Sequence, residues 1–132
     1  MKRAALLILL AFVLAAQDFP RRFRGVAEIV IPANDILKVD PKHYRLELEN
    51  EKVRVLRVTL GPDERVPMHD AAAATLVCLT DCHVRFTPPS GRVEDVHLEA
   101  GQTRWIWDEI RSEKNLSTHK LEMLLIEVKP GR

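Results

Sequence analysis

The chain has 132 residues, with 20 Lys+Arg against 19 Asp+Glu for a formal charge of +1, and it carries 46% hydrophobic residues, 5% aromatics and 2 Cys. One domain accounts for that length, and a chain of this size buries enough surface to fold without a disulfide framework. The balanced charge excludes the basic field of a nucleic-acid binder, and the frequent Val, Leu and Ile exclude wholesale disorder.

At the start, Lys2 and Arg3 precede an unbroken apolar run from Ala4 to Ala16. That run is too short for a membrane span, which needs about 20 residues, but it suits the core of an export signal. Val13 with Ala15, or Leu14 with Ala16, supplies the small residues a signal peptidase needs. Residues 1–16 are therefore expected to be a signal peptide, and the mature protein to be periplasmic or secreted with no transmembrane span. Losing Lys2 and Arg3 leaves 18 basic against 19 acidic residues, so the mature formal charge is −1. Residues 17–38 read as an irregular N-terminal arm or edge strand, in which Ala27–Ile31 is β-branched enough to pair.

From Tyr44 onward the pattern is one of short strands. Leu46 and Leu48 alternate with Arg45, Glu47 and Glu49, which predicts a half-buried strand. Val53–Leu60 follows, and its apolar phase slips at Leu56, where a bulge or burial on both faces is expected. Gly61-Pro62-Asp63 and Pro88-Pro89-Ser90-Gly91 read as turns. Further strands are predicted over 75–80, 84–87, 93–98, 103–107 and 121–128. Ala71–Ala74 is too short to hold a helix. Seven to nine short strands with regular turns predict an all-β sandwich or barrel.

Cys78 and Cys82 are four apart. Four extended residues span about 13 Å, against roughly 4.4–6.8 Å between bridged Cα atoms. Leu79-Thr80 is a poor tight turn, so two separate thiols are expected. His43, His83, His97 and His119 read as surface residues. Trp105 and Trp107 share a strand face and read as core or interface. The sequence contains no Gly-rich phosphate loop, nucleophile elbow or Cys-x-x-Cys pair.

The stretch from Gly61 through Pro67-Met68-His69, then Val77–Asp81, resembles the first motif of the cupins. Gly101, Trp105 and Asn115-Leu116-Ser117 resemble the second. The resemblance runs from about Val39 to Lys129 and implies a cupin-like antiparallel β-barrel, or jelly roll, over 39–130. It also implies a homodimer, since such barrels commonly pair through an edge strand. Metal-binding cupins present three His and one carboxylate. Here His69 matches the first ligand, while Ala71, Thr75 and Arg111 stand where the other three fall. An Arg does not deprotonate to coordinate, and its charge repels a divalent ion. Asp70 belongs on the opposite strand face from His69. Cys82, Trp107 and Glu109 replace residues of the family's glycine-containing turns. Arg111 itself reads as a loop residue that, turned inward, would grip a carboxylate ligand with a bidentate fork.

The resulting expectation is an exported small-molecule binding or interaction module with no metal and no other cofactor. His69, Thr75, Arg111 and Trp107 are its candidate ligand contacts. The alternatives are a metal-dependent isomerase- or dioxygenase-like cupin using His69 with Asp108 or His83, and a structural envelope protein with a closed barrel.

Overall fold

A computed structural model describes residues 34–131. The expected signal peptide and the Ala27–Ile31 stretch lie outside the described residues. The barrel unit opens with one helical turn, α1 (Ile36–Val39), whose cap is Asp35: its Oδ1 accepts the Leu37 N–H at 3.0 Å. Such a cap satisfies one of the donors that a helix start leaves open. Asp40 closes the turn by donating its N–H to Ile36 O.

Nine strands follow: β1 (Tyr44–Glu49), β2 (Val53–Leu60), β3 (Arg65–Ala71), β4 (Ala74–Cys78), β5 (Cys82–Thr87), β6 (Glu94–Leu98), β7 (Thr103–Ile106), β8 (Glu109–Asn115) and β9 (Leu121–Val128). They form a five-stranded sheet, β1-β2-β9-β4-β7, facing a four-stranded sheet, β3-β8-β5-β6. Every strand pair is antiparallel. β2 and β9 keep an unbroken register from Val53↔Val128 to Leu60↔Leu121. Their alternation sends Leu56, Val58, Leu60, Leu121 and Met123 inward, against Val66, Val84 and Val96 of the other sheet, all fully buried. Each such side chain contributes about 1.5–3 kcal/mol by leaving water, an upper figure because the unfolded chain already buries some of it.

Local departures from expectation have clear causes. The slip near Leu56 comes from an extra residue in β1 and not from β2: Leu46 pairs with Leu56 and Leu48 with Val55, leaving Glu47 over. Leu46 and Leu48 are exposed rather than half-buried, because among the described residues β1 is the sheet edge and its one buried side chain is Tyr44. Leu79 and Thr80 do not continue β4. Both donate their N–H groups to Glu122 O, while Thr80 Oγ1 accepts the Glu122 N–H at 3.0 Å. That clamp turns the chain from one sheet into the other, bringing the Cys78 and Cys82 Cα atoms to 6.0 Å, and the two are disulfide-bonded. The expectation of separate thiols is thus corrected: an extended spacer was the wrong geometry at a corner. The reversal is supported by Gly101, which at φ +85° sits where a side chain would be strained and donates its N–H to Cys78 O at 2.7 Å.

Asn115 is a second fastening. Fully buried, it donates to Leu60 O, Gly61 O and His119 O and accepts from the Ser117 N–H and hydroxyl. The Asn-Leu-Ser triplet is therefore a turn lock, and a glycan on Asn115 is incompatible with this fold. Among the described residues no helix is long and apolar enough to cross a membrane.

Candidate ligand-binding site

The inner face of β8 is polar throughout. Arg111, Glu113 and Asn115, at every second residue, are all buried, while Ile110 faces out and is exposed. Arg111 is a strand residue in the barrel interior, where a loop position was expected. Its Nε donates to Glu113 Oε1 at 3.1 Å and its Nη1 to the Trp107 carbonyl at 3.4 Å. The Glu109 carboxylate lies 3.8 Å from Nη1. The guanidinium carbon sits 4.5 Å from the centre of the Phe86 ring, a cation–π stack. Nη2 is the one buried side-chain N or O atom among the described residues with no hydrogen-bond partner. A buried donor left unmade costs about 1–3 kcal/mol, so this atom is the least satisfied polar group of the interior.

His69 faces Arg111 across the β3–β8 ladder. An extra residue in β3 between Val66 and His69 puts His69, and not Met68, on the inner side. Pro67 lies in that bulge, where its missing N–H breaks no ladder bond. His69 is 3% exposed; its Nδ1 is 2.9 Å from Pro67 O and its Nε2 is 3.7 Å from Glu113 Oε1. Tyr44 completes the cluster by donating its hydroxyl to Glu113 Oε2, with its ring edge-on to His69 at 5.9 Å. Burial, and next the Glu113 carboxylate, hold the Tyr44 phenol well above its ordinary range, so it is a firm donor. At the same end of the barrel, Arg54 pairs with Glu127 at 2.7 Å and with the α1 cap Asp35 at 2.6 Å. Burial opposes the Arg54 charge, but these two carboxylates hold its pKa above the usual value.

Of the sequence-derived candidates, His69 and Arg111 meet inside the barrel and Trp107 reaches Arg111 through its carbonyl. Thr75 does not. β4 turns Ala74, Leu76 and Cys78 inward, so Thr75 lies on the outer face, opposite Trp105. Asp70 is exposed on the far side of β3, as its position beside His69 implies. Trp105 and Trp107 are neither core nor a plug: they are 42% and 74% exposed. They line a cleft of about 160 Å³ together with Phe86 and Glu109. His83 and His97 stack on each other at the surface, 4.9 Å apart. His43 is not a free surface residue, because Asp40 and Glu64 hold its two ring nitrogens. That contact is the main reason the Glu64 carboxyl lies below its ordinary range. Glu113 and Tyr44 were missed by sequence reasoning. The signal for Glu113 was its spacing of two from Arg111, on a strand too polar to be read as one.

The residues facing inward do not fit a metal. His69 stands alone as an imidazole, its strand neighbours and the inward side of β4 offer Ala71, Ala74 and Leu76, and Arg111 brings a fixed cation. Among the described residues no three His, Cys, Asp or Glu are grouped to hold an ion. Asp108 is exposed and His83 is on the outer surface, so neither joins His69.

No family model and no curated protein matches the sequence. Solved structures do match. A cupin domain from Bordetella pertussis is 19% identical, covers 66% of this chain and 92% of its own, and superposes with a TM-score of 0.59. An RmlC-like cupin family protein with a double-stranded β-helix fold from Methanocaldococcus jannaschii is 17% identical over 67% and 83% of the two chains, with a TM-score of 0.51. A protein with a double-stranded β-helix domain from Klebsiella pneumoniae is 16% identical over 67% and 76%, with a TM-score of 0.52. The chain is an all-β protein with the cupin fold, the double-stranded β-helix of two antiparallel sheets.

Proposed function

We propose that the protein is a small-molecule-binding module in which the Arg111 guanidinium, and no metal ion, is the positive centre of the barrel, and that its ligand carries a carboxylate. One observation carries this reading: a buried guanidinium with an unsatisfied N–H group adjoins a cleft whose lining residues Trp107 and Glu109 both touch it. Glu109, partly exposed, covers Arg111 as an ion pair to Nη1 at 3.8 Å, too far for a hydrogen bond. A carboxylate entering the cleft in its place offers the acceptor that Nη2 lacks, and charge-assisted bonds of this kind are the stronger ones. Tyr44 takes up Glu113 Oε2, so the internal pair engages the guanidinium through Nε and holds it in place without exhausting it.

The test is calorimetric titration with short carboxylic acids such as butyrate. Butyrate should bind the parent protein and a Glu113→Gln variant, and should not bind a Glu113→Gln/Arg111→Met variant, which keeps the interior balanced in charge. Equal binding to all three refutes the assignment.

Export belongs to the same reading. It is supported by the leader-like run at 4–16 and by the Cys78–Cys82 disulfide, a bond that persists in oxidising compartments. Amino-terminal sequencing of protein recovered outside the cytoplasm should begin near residue 17. The homodimer is supported by the exposed Leu46 and Leu48 on β1, an edge strand among the described residues and of the kind that joins copies. Leu46→Lys/Leu48→Lys should give a monomer by light scattering.

A further inference from the structure

The cleft has a second chemical character besides the cation beneath it. The indoles of Trp105 and Trp107 stand almost perpendicular, at 82° with centroids 5.8 Å apart. They form two walls of a box that Phe86 extends. Two of the chain's 2 Trp and one of its 4 Phe thus meet in one small cleft. Both indoles are exposed, and neither supports the core. Two carboxylates, Glu94 and Glu109, also line it, against the single cation Arg104, which pairs with Glu94. Glu109 meets Arg111 as an ion pair at 3.8 Å, without a hydrogen bond, and its carboxylate stays partly exposed at the rim. Aromatic walls with an adjacent carboxylate make a site for an organic cation, because indole faces are negative and a bulky ammonium sheds water readily.

The geometry points to a zwitterionic ligand of the betaine class: a quaternary ammonium held between Trp105, Trp107 and Glu109, and a carboxylate reaching Arg111. This rests on the assignment of Arg111 as the carboxylate anchor and adds the opposite pole. It also accounts for acidic residues at the mouth of a site whose deep group is a cation, an arrangement that penalises a simple anion. The cleft volume of about 160 Å³ admits a compact head group and excludes large, multi-ring ligands.

The test compares three probes by calorimetry at low ionic strength: γ-butyrobetaine, which has both poles, butyrate, which has the carboxylate alone, and choline, which has the ammonium alone. γ-Butyrobetaine should bind about tenfold more tightly than butyrate, and Trp107→Ala should remove that advantage, bringing the two affinities to within about twofold of each other. Residual binding of butyrate also reports that the variant is folded. Glu109→Gln should move the two ligands in opposite directions, strengthening butyrate and weakening γ-butyrobetaine. If butyrate binds through Arg111 and γ-butyrobetaine binds no better, the cationic pole is overturned while the carboxylate anchor stands. If choline alone binds, and neither carboxylate does, both the zwitterion and the anchor are overturned. Failure of all three probes likewise overturns both.

Discussion

Removing Arg111 and Glu113 together should cost much less than the sum of removing each alone. The two side chains are 1% and 0% exposed and bonded at 3.1 Å. Loss of one partner of a buried ion pair costs about 3–5 kcal/mol, because the other charge stays behind without compensation. Glu113→Gln leaves Arg111 with the Trp107 carbonyl and the distant Glu109, so about 3 kcal/mol is expected. Arg111→Met leaves Glu113 with the Tyr44 hydroxyl and His69, and also removes the unsatisfied Nη2, so the loss should be smaller, about 2 kcal/mol. The double variant buries no charge here and should also lose only about 2 kcal/mol, a departure from additivity of about 3 kcal/mol. Urea titrations with a common slope measure all three, and the Glu113→Gln melting point should fall by roughly 12–24 °C. Losses that add to within about 0.5 kcal/mol would show that the two groups are not coupled and would refute the account of the interior.

Tyr44 is the single tyrosine of the chain, so tyrosinate absorbance reports on it alone. Burial and Glu113 raise its pKa well above 10.0, so the fold keeps a proton that the unfolded chain releases. This contribution is therefore unchanged below pH 10.0 and lost as pH rises beyond it, and the absorbance should appear only with unfolding. A smooth titration of the folded protein near the ordinary phenol value contradicts the burial. Asn115→Ala removes a side chain serving five partners and should cost at least about 3 kcal/mol by chemical denaturation; a loss below about 1 kcal/mol would show that the two turns hold independently. Cys78→Ala/Cys82→Ala opens a short loop and should cost about 2 kcal/mol in oxidised protein, with no difference between the variant and the parent's loss under reductant.

How much of this was legible in the sequence depended on where the apolar pattern survives. β2 and β9 carry alternating Leu, Val and Met and were read nearly to the residue, because their inner faces meet an apolar core. β8 was invisible for the opposite reason: its inner face is Arg111, Glu113 and Asn115, and its apolar Ile110 faces solvent. Polar side chains can occupy that face because each finds a partner: Arg111 within β8 itself in Glu113, and Glu113 and Asn115 across the barrel in Tyr44 and the Leu60 carbonyl, contacts that leave no apolar period to read. His43 likewise combines a local partner, Asp40, with a distant one, Glu64. Thr75 was placed by counting from His69, but the chain reverses between β3 and β4, and the count gives no face across a turn. Arg111 was legible as a cation where the resemblance places a ligand position, and Glu113, which gives that cation its setting, was not.

The extra residue in β3 gives that strand something like a reading frame. From Arg65 to Val66 the ladder is read in one phase, and from His69 to Ala71 in the other, with Pro67-Met68 as the point of shift. The same letters read without the shift would set Met68 opposite Arg111 and Asp70 opposite Glu109, turning a further carboxylate inward. Two chemically different interiors are thus encoded in one stretch of chain, a thioether beside a carboxylate or an imidazole, and the position of one proline marks which of them is expressed. In a barrel of the cupin fold whose inward residues do not fit a metal, a slip of one residue is by itself enough to change the chemistry of the interior.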